Sequence, residues 1–267
     1  MPEEFDEAYW EGRYREHTVS RRLEPNPYLA EAAGGLPPGA ALEAGCGTGT
    51  DAVWLASRGW RVTGVDISDT ALEHAREHAR ESGVADRIDW VRADLTGWTP
   101  AEEGFALVYS HYVHPAAGPG PLFRRLAAAV APGGTLLIVD HHPPPAGDAG
   151  HTAHGDGHAV HTTHGDGQAG HGDGGDAAHG EHGHGGGAHG GHGHAPGAGP
   201  HGGHGDHGGH GHGSGPLVHL TPEEIAAALD PAGWEVVAAE FRTRTVTNPR
   251  GHGTVLHDSV VRARRRP

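Results

Sequence analysis

The sequence contains no lysine, a single cysteine and no apolar run long enough to cross a membrane. Its 19 basic residues, all arginine, are outnumbered by 34 acidic ones, and the formal net charge of −15 argues against general nucleic-acid binding. The lone Cys46 excludes an intramolecular disulfide framework and favours a reducing compartment. Residues 1–6 include three acids and no apolar run follows them, so no signal peptide is expected. These absences predict a cytoplasmic protein that binds neither nucleic acid nor a membrane.

Glycine and histidine, by contrast, are abundant and concentrated in one segment. The chain has 47 Gly and 27 His, and residues 148–215 hold 27 of the glycines and 17 of the histidines. The segment has no arginine and no aromatic residue, and Val160 is its only larger aliphatic residue. Such a composition cannot bury enough apolar surface to offset chain entropy. We therefore expect residues 148–215 to be a disordered insertion that divides a single domain into residues 1–147 and 216–267.

The histidines of this segment recur in H-G-H and H-G-G-H spacings on a flexible chain. Closely spaced imidazoles on unconstrained backbone can converge on Ni²⁺, Zn²⁺ or Cu²⁺, but without a rigid geometry they do not select one metal. Two interpretations stay open: a low-complexity expansion with incidental metal binding, or a metal-binding or storage protein. The candidate metal ligands are His182, His184, His192, His194, His210 and His212.

The most informative stretch is residues 40–66, which combines a short apolar segment, a glycine-rich turn, a helical segment and a second apolar segment ending in an acid. This order is the architecture of a nucleotide-binding half-site. The predicted parts are a strand over 40–44, a turn over 45–49, a helix over 51–57 and a strand over 61–66.

The glycine spacing and two acids indicate which ligand the turn accepts. A dinucleotide fingerprint needs G-x-G-x-x-G, and Thr50 stands where its third glycine would be. Glu43 lies just before the turn, where it would repel a pyrophosphate but attract a cation. Asp66 ends the second strand and is placed to accept hydrogen bonds from a ribose. The pattern therefore favours a cationic nucleoside ligand.

The rest of the chain outside the insertion alternates between further strands and helices. Ser68 or Asp69 is the expected N-cap of the next helix, and Thr221 with Glu224 has the spacing of a capping box. The predicted helices are 5–16, 70–82, 122–130 and 222–229, and Pro132-Gly133-Gly134 is expected to close the third of them. The predicted strands are 88–92, 105–110, 135–140, 234–246 and 254–262.

With its E-x-G-x-G-x-G motif at residues 43–49, the sequence resembles the class I S-adenosylmethionine-dependent methyltransferases. The resemblance covers residues 40–140 and, less closely, 217–263. The N-terminal Tyr-Trp and the phrase His-His-Pro at 141–143 are similar to small bacterial tellurite-resistance and thiopurine methyltransferases. The resemblance implies a Rossmann-like, doubly wound α/β fold with a seven-stranded sheet in the order 3-2-1-4-5-7-6, which ends in an antiparallel hairpin.

The resemblance also implies a set of residues around S-adenosylmethionine. It places the glycine turn against the cofactor, acids after the second and third strands on the ribose and adenine, and the end of the fourth strand near the methionine part. On the N-terminal helix, packing and a role facing the cofactor sulfonium are open alternatives. The implied cofactor residues are Glu43, Gly45, Cys46, Gly47, Gly49, Asp66, Ile67, Asp94, Leu95 and Ser110, with Tyr9, Trp10 and Arg13 on the N-terminal helix.

The acceptor side is less well indicated. Methyl transfer to a small molecule needs mainly alignment and exclusion of water, and a base only if the acceptor arrives protonated. His111 and His114 are the candidate bases, although His114 also suits a turn before Pro115. The resemblance points to a soft sulfur, selenium or tellurium nucleophile as acceptor and to a monomer or weak homodimer.

Overall fold

The computed structural model describes residues 6–16, 24–114, 119–142, 219–247 and 253–267. All of them belong to one of the two units into which the chain divides, Met1–Thr163 together with Ser214–Pro267. The expected insertion at 148–215 lies outside the described residues, as do its six candidate metal ligands. Its disorder and its metal binding therefore stay predictions.

The described residues form six α-helices, one short 3-10 helix (Ala85–Arg87) and seven strands. None of these helices is long and apolar enough to span a membrane. The helices are α1 Glu7–Glu16, α2 Pro27–Ala33, α3 Thr50–Ala56, α4 Asp69–Glu81, α5 Pro119–Ala129 and α6 Pro222–Ala227. The strands are β1 Ala40–Ala44, β2 Arg61–Asp66, β3 Ile88–Arg92, β4 Phe105–His111, β5 Val130–His141, β6 Trp234–Thr247 and β7 Gly253–Arg265.

The seven strands form one sheet in the order β3-β2-β1-β4-β5-β7-β6. Strands β1 to β5 run parallel, whereas β7 is antiparallel to both of its neighbours. This confirms the predicted doubly wound sheet and its C-terminal antiparallel hairpin. From β1 the chain continues to β2 and β3 on one side of the sheet, and it then crosses to β4 on the other side of β1. The carboxyl ends of β1 and β4 therefore flank a crevice. Open α/β sheets bind their ligands at such a crevice.

Two helices begin where their capping residues indicate. The Ser68 hydroxyl accepts a hydrogen bond from the Ala71 N–H at the start of α4. At α6, Thr221 and Glu224 form the predicted reciprocal capping box. Helix α3 differs, because its N-cap residue is Gly49, which has a left-handed φ of 77° and no side chain to cap with. The glycine turn thus leads directly into the start of α3.

The fifth strand begins at Val130, five residues before its predicted start. Val130 pairs with Phe105 and Thr135 pairs with Leu107, so five steps along β5 match two along β4. The extra residues form a bulge in which Gly133 has a φ of 76°. The Pro-Gly-Gly phrase, predicted to close a helix, therefore lies inside the strand.

Two apolar layers sandwich the sheet. Helices α2 and α3 cover one face, where Leu29 and Leu55 are fully buried. Helices α5 and α6 cover the other, where Leu126 and Ile225 are buried. Because side chains alternate along each strand, neighbouring polar residues at the strand ends point to opposite faces. This alternation divides the polar residues of the crevice into two groups.

Candidate functional site

The glycine turn connects β1 to α3 at the carboxyl edge of the sheet. Gly45, Gly47 and Gly49 have φ angles of 79°, 50° and 77°. At Gly47 a side chain would also collide, because a Cβ there would lie 2.9 Å from the Tyr14 hydroxyl oxygen. The turn therefore presents bare backbone, which lets a neighbouring group approach closely.

Asp66 ends β2 and ties that strand to the turn. Its Oδ2 accepts a hydrogen bond from the Gly47 N–H at 2.8 Å, and its Oδ1 accepts one from the Ser68 N–H at 3.0 Å. Burial raises the pKa of Asp66, although these two N–H groups and that of Ile67 favour the charged form. A carboxylate has about four lone-pair positions, so the backbone holds Asp66 in place and leaves acceptor capacity for a ligand hydroxyl.

Cys46 lies in the same turn, and its thiol is buried. Its backbone N–H donates to the Val65 carbonyl at 2.9 Å. Burial raises the pKa of the thiol well above its ordinary value, so Cys46 stays protonated and unreactive. Its contribution to the turn is therefore its backbone.

Helix α1 packs on the glycine turn and on the start of α4. The Glu11 carboxylate accepts hydrogen bonds from the Ser68 hydroxyl at 2.9 Å and from the Thr70 N–H at 3.3 Å. The Tyr14 ring is half-buried, its hydroxyl end lies against Gly47, and burial raises the Tyr14 pKa well above 10. Helix α1 thus covers the turn with an aromatic ring.

Packing and a cofactor-facing role were open alternatives for Tyr9, Trp10 and Arg13 on α1, and the structure shows further contacts of this helix through Tyr14 and Glu11. The rings of Tyr9 and Trp10 meet edge to face at 5.2 Å, and those of Trp10 and Tyr14 lie 6.3 Å apart. Tyr14 follows Trp10 by one helical turn and so shares its face, a signal present in the sequence. The Glu11 contact depends on where α4 begins in space, which no local pattern encodes.

A buried acid lies beneath the turn. Glu43 is 5% exposed, and the pairing of β1 with β4 places it opposite Tyr109. Its Oε2 has no hydrogen-bond partner among the described residues. Burial, and then the charge of Asp51, raise the pKa of Glu43 well above its ordinary value, whereas the nearby Tyr109 hydroxyl and Ala52 N–H oppose this rise. A buried carboxyl with one unpartnered oxygen is costly, and a cationic ligand would offset that cost.

His111, predicted on the acceptor side, is bound to the start of α3. Its Nδ1 lies 2.9 Å from Asp51 Oδ2, and the other oxygen of Asp51 accepts from the Asn26 N–H at 2.7 Å. The Nε2 atom of His111 is buried and has no partner within the described ranges. The charge of Asp51 also acts on Glu43. His111 therefore belongs to the same polar cluster as Glu43.

The remaining predicted cofactor residues lie at the ends of β3 and β4. Asp94 is exposed and accepts a hydrogen bond from the Thr96 N–H at 2.8 Å, while Leu95 beside it is buried. The buried Ser110 hydroxyl donates to the Ala44 carbonyl at 3.1 Å and so holds β4 against the end of β1. Asp94 follows β3 next to the β2 end that carries Asp66, as its predicted role requires.

A second polar group lies on the other side of the crevice, at the ends of β5 and β7. Asp140 is 5% exposed, and its Oδ1 accepts from the His141 N–H at 2.8 Å. His114 Nδ1 lies 3.9 Å from the same Oδ1, and its ring meets that of His219 edge to face at 6.4 Å. The structure thus separates the two predicted bases: His111 contacts Asp51, and His114 contacts Asp140.

Asp258 anchors a buried network on the α2 side of the sheet. Its Oδ2 accepts from the Tyr28 hydroxyl at 3.0 Å and from Arg244 Nε at 2.7 Å, and its Oδ1 lies 3.3 Å from His141 Nδ1. Arg244 also donates to the Tyr112 hydroxyl at 2.8 Å. The network joins α2 and the end of β4 to the C-terminal hairpin, and sequence reasoning missed it.

Tyr112 is the strained residue of this network. Its φ is 57°, which is uncommon for a residue other than glycine, and its ring stacks on that of His141 at 4.1 Å. Such strain persists only where surrounding contacts impose it, and it is enriched at functional sites. The chain therefore turns sharply on leaving β4, directly above the crevice.

Among the described residues, no group of three or more His, Cys, Asp or Glu side chains is arranged to hold a metal ion. His74 and His78, one turn apart on α4, are not joined by a third such residue.

Comparisons with known proteins agree with this geometry. A family model described as a methyltransferase domain matches residues 41–134. The chain is 37% identical over 119 residues to probable thiol methyltransferase 2 of Arabidopsis thaliana. The aligned region covers 43% of this chain and 52% of that protein. It is 41% identical over 70 residues to thiopurine S-methyltransferase of Pseudomonas entomophila, covering 25% and 32%. The chain thus aligns with about half, or less, of the length of these curated relatives.

A solved structure extends the likeness over nearly the whole chain. It comes from work on the conversion of a disulfide bond into a thioacetal group during echinomycin biosynthesis. The TM-score is 0.56 at 19% identity, covering 97% of this chain and 92% of that one. At this identity the likeness shows the fold alone.

Proposed function

We propose that the chain is a class I S-adenosylmethionine-dependent methyltransferase and that it transfers a methyl group from S-adenosylmethionine to the sulfur atom of a small molecule. The observation that carries the proposal is the buried Glu43 carboxyl, whose Oε2 has no hydrogen-bond partner among the described residues. It lies directly behind a glycine turn with open backbone, where it favours a ligand that carries positive charge.

The residues present fit such a ligand. Glu43, Asp51 and Asp66 surround the turn, and within the described part of the chain no arginine forms an ion pair with any of them. When bound, S-adenosylmethionine supplies an electrophilic methyl group on a sulfonium, together with an ammonium group. The three carboxyls offer the compensating charge, and burial strengthens that interaction relative to water.

The chain's own residues then have separate roles in this proposal. Asp66 accepts from ribose hydroxyls, and Asp94 with Leu95 holds the adenine. Ser110 holds β4 against β1, so that the cluster of Glu43 and His111 faces the methionine part. Helix α1 excludes water from above through Trp10 and Tyr14. Alignment of the reacting atoms and exclusion of water from the site supply much of the rate enhancement in an in-line methyl transfer.

The acceptor class rests on the names of the relatives. One is named as a thiol methyltransferase and another as a thiopurine S-methyltransferase, so both names specify sulfur. Selenium and tellurium compounds share the softness of sulfur and are included in the proposal. The alternative of a metal-binding protein gains no support from these relatives. We propose that the protein acts in the cytoplasm as a monomer or a weak homodimer.

Calorimetry on the full chain tests the cofactor half of the proposal. We expect S-adenosylmethionine to bind and NADH not to bind. Glu43→Gln should weaken binding roughly 10- to 100-fold, the loss of one charged hydrogen bond. Glu73→Gln, the same change at an exposed position of α4, is the matched control and should bind like the parent. Equal affinity of both variants, or tight NADH binding, would refute the assignment.

An acceptor screen that follows S-adenosylhomocysteine release tests the other half. Aliphatic thiols, thiopurines and thiocyanate should support turnover, whereas phenols and amines of similar size should not. Turnover with oxygen or nitrogen acceptors alone would leave the methyltransferase assignment intact and remove the sulfur class.

A further inference from the structure

The end of β5 carries a buried acid that the cofactor half of the site does not use. Asp140 lies one residue beyond Val139, which pairs with His111 at the end of β4. Its side chain points to the α5 and α6 face, opposite to Glu43 and His111, because side chains alternate along β4 and β5. Asp140 therefore borders the crevice on the side away from the acid cluster that we propose to face the methyl donor.

Asp140 differs from Asp258, its near neighbour, in how its charge is compensated. Asp258 is fully buried but is bound by Arg244, Tyr28 and His141. Within the described part of the chain, no arginine forms an ion pair with Asp140, and its contacts are one backbone N–H and the ring of His114 at 3.9 Å. The contacts of Asp258 thus stabilise its ionised form, whereas the Asp140 carboxyl is able to gain and lose a proton.

The titratable groups near Asp140 come from four segments. His141 belongs to its own strand, Asp258 to β7, His114 to the segment after β4, and His219 to the segment before α6. Burial raises the pKa of Asp140 to about 7, the charge of Asp258 adds to this rise, and the His141 N–H and ring oppose it.

The neighbouring His114 does not take the proton in place of Asp140. Burial, and then the nearby rings of His141 and His219, lower the pKa of His114 to about 4. The His114 imidazole therefore stays neutral near pH 7 and borders the same pocket without adding charge. Asp140 and His114 thus place a carboxylate that can accept a proton beside an uncharged imidazole ring.

We propose, resting on the methyl transfer above, that Asp140 is the general base that takes the proton from a thiol acceptor, with His114 as the ring beside it. The S–H bond breaks, its electron pair stays on sulfur, and the proton moves to the Asp140 carboxylate. The thiolate pair would then form the new S–C bond to the methyl carbon while the bond from that carbon to the sulfonium breaks, and S-adenosylhomocysteine would leave with the electron pair of the broken bond. The acceptors in question are thiols that arrive protonated.

Protonated thiols suit this base better than other acceptors. An ordinary thiol has a pKa of about 8.5, so only a few per cent is thiolate near neutral pH. A base is most effective when its pKa lies near the working pH. An acceptor that is already an anion, such as thiocyanate, gains nothing from such a base. The acceptor's own pKa should therefore decide whether Asp140 matters.

That dependence gives the test. On the full chain with saturating S-adenosylmethionine, Asp140→Asn should lower kcat for an aliphatic thiol roughly 100-fold or more. It should change kcat for thiocyanate by less than about threefold, because no proton is removed. The matched control is Asp89→Asn, the same change at an exposed position of β3, which should leave both acceptors unaffected. A merely structural role would lower both rates together, and that result would overturn the proposal.

A second readout does not depend on turnover. Infrared difference spectra between wild type and Asp140→Asn should show a carboxylic acid band that disappears as the pH rises through about 7. A band that titrates near pH 4 would also overturn the proposal. If the wild type methylates neither acceptor although it binds S-adenosylmethionine, the sulfur class itself fails and this role fails with it. Failure of the role alone would leave thiol turnover by the wild type intact, and it would appear in equal effects of Asp140→Asn on the two acceptors or in a band that titrates near pH 4.

Discussion

At the scale of single residues, the site is governed by four carboxyl groups in different states. Asp66 is held by backbone donors, Asp258 is ionised against an arginine, and Asp140 is buried with little compensation. Glu43 is buried with one oxygen unpartnered among the described residues. Each state follows from which partners the sheet register brings within reach, and each has its own pH dependence.

Asp140 should reduce stability as the pH rises. Its pKa is raised from 3.8 to about 7 in the folded protein. Below pH 3.8 the carboxyl is neutral in both the folded and the unfolded protein, so it does not change the free energy of unfolding. As the pH rises from 3.8 to about 7, the unfolded chain ionises first, and the free energy of unfolding falls by a growing penalty. At roughly 1.4 kcal/mol per pH unit, the penalty reaches at most about 4 kcal/mol above pH 7. Asp140→Asn should therefore stabilise the fold by about 2–4 kcal/mol at pH 8 and clearly less at pH 5.

Urea melts of wild type and Asp140→Asn at the two pH values measure this difference. Asp89→Asn again serves as the exposed control, with no expected change at either pH. A variant that is less stable than wild type at pH 8 would mean that Asp140 is ionised and well compensated. A stabilised variant that has lost thiol turnover would show the trade of stability for activity known from active sites.

Glu43 should couple cofactor binding to proton release. Its pKa is raised in the free protein, chiefly by burial, and a cationic ligand favours the charged form. Binding of S-adenosylmethionine should therefore release protons, and affinity should rise with pH. Calorimetry in buffers of different ionisation enthalpy measures the number released. Glu43→Gln should abolish this contribution, and equal proton release by both proteins would show that another group is responsible.

At the scale of elements, α1 is attached to the sheet domain by a few polar contacts. Glu11 binds the Ser68 hydroxyl and the Thr70 N–H at the start of α4. Glu11→Ala should cost about 0.5–1.5 kcal/mol in urea unfolding, the usual range for one hydrogen-bonded group. Glu16→Ala, at the exposed end of the same helix, should cost less. Equal losses would mean that helix propensity, and not docking onto α4, sets the effect.

The sequence predicted the elements well where one local signal sufficed. Ala40–Ala44 and Ile88–Arg92 have the bounds that were expected, and the Thr221 capping box is present. The early start of β5 was not predictable, because Val130 becomes a strand residue only through its pairing with Phe105. Sequence reasoning took Pro-Gly-Gly as a stop, although glycine also permits a bulge.

The candidate site was predictable only in its cofactor half. Glu43, the glycines and Asp66 lie within 24 residues, so a motif can record them. Asp140 and Asp258 are 118 residues apart and become neighbours only when β7 pairs with β5. Tyr28 reaches Asp258 across 230 positions. Contacts of that separation depend on tertiary packing, which no local pattern encodes.

At the scale of the whole molecule, the question is what residues 148–215 do to the domain that they interrupt. Both flanks contribute to the polar group around Asp140: β5 ends at His141, and His219 lies against His114. The 68-residue interval stands where about six residues would be ordinary. Closing the longer loop costs only about 2 kcal/mol more, since the cost grows with the logarithm of length. A fold of ordinary stability, roughly 5–15 kcal/mol, tolerates that cost.

Replacing residues 148–215 with a six-residue Gly-Ser linker should therefore preserve the fold and the affinity for S-adenosylmethionine. Stability should rise by up to about 2 kcal/mol, because the shorter loop is easier to close. Nickel and zinc affinity should fall sharply, because 17 of the 27 histidines are removed. Thermal melts and titrations with cofactor and metal measure all three. A control that keeps the length but replaces the histidines with serine should lose the metal without gaining stability. If the shortened protein melts earlier or loses the cofactor, the segment packs on the domain or covers its site, because loop entropy alone can only act in the opposite direction.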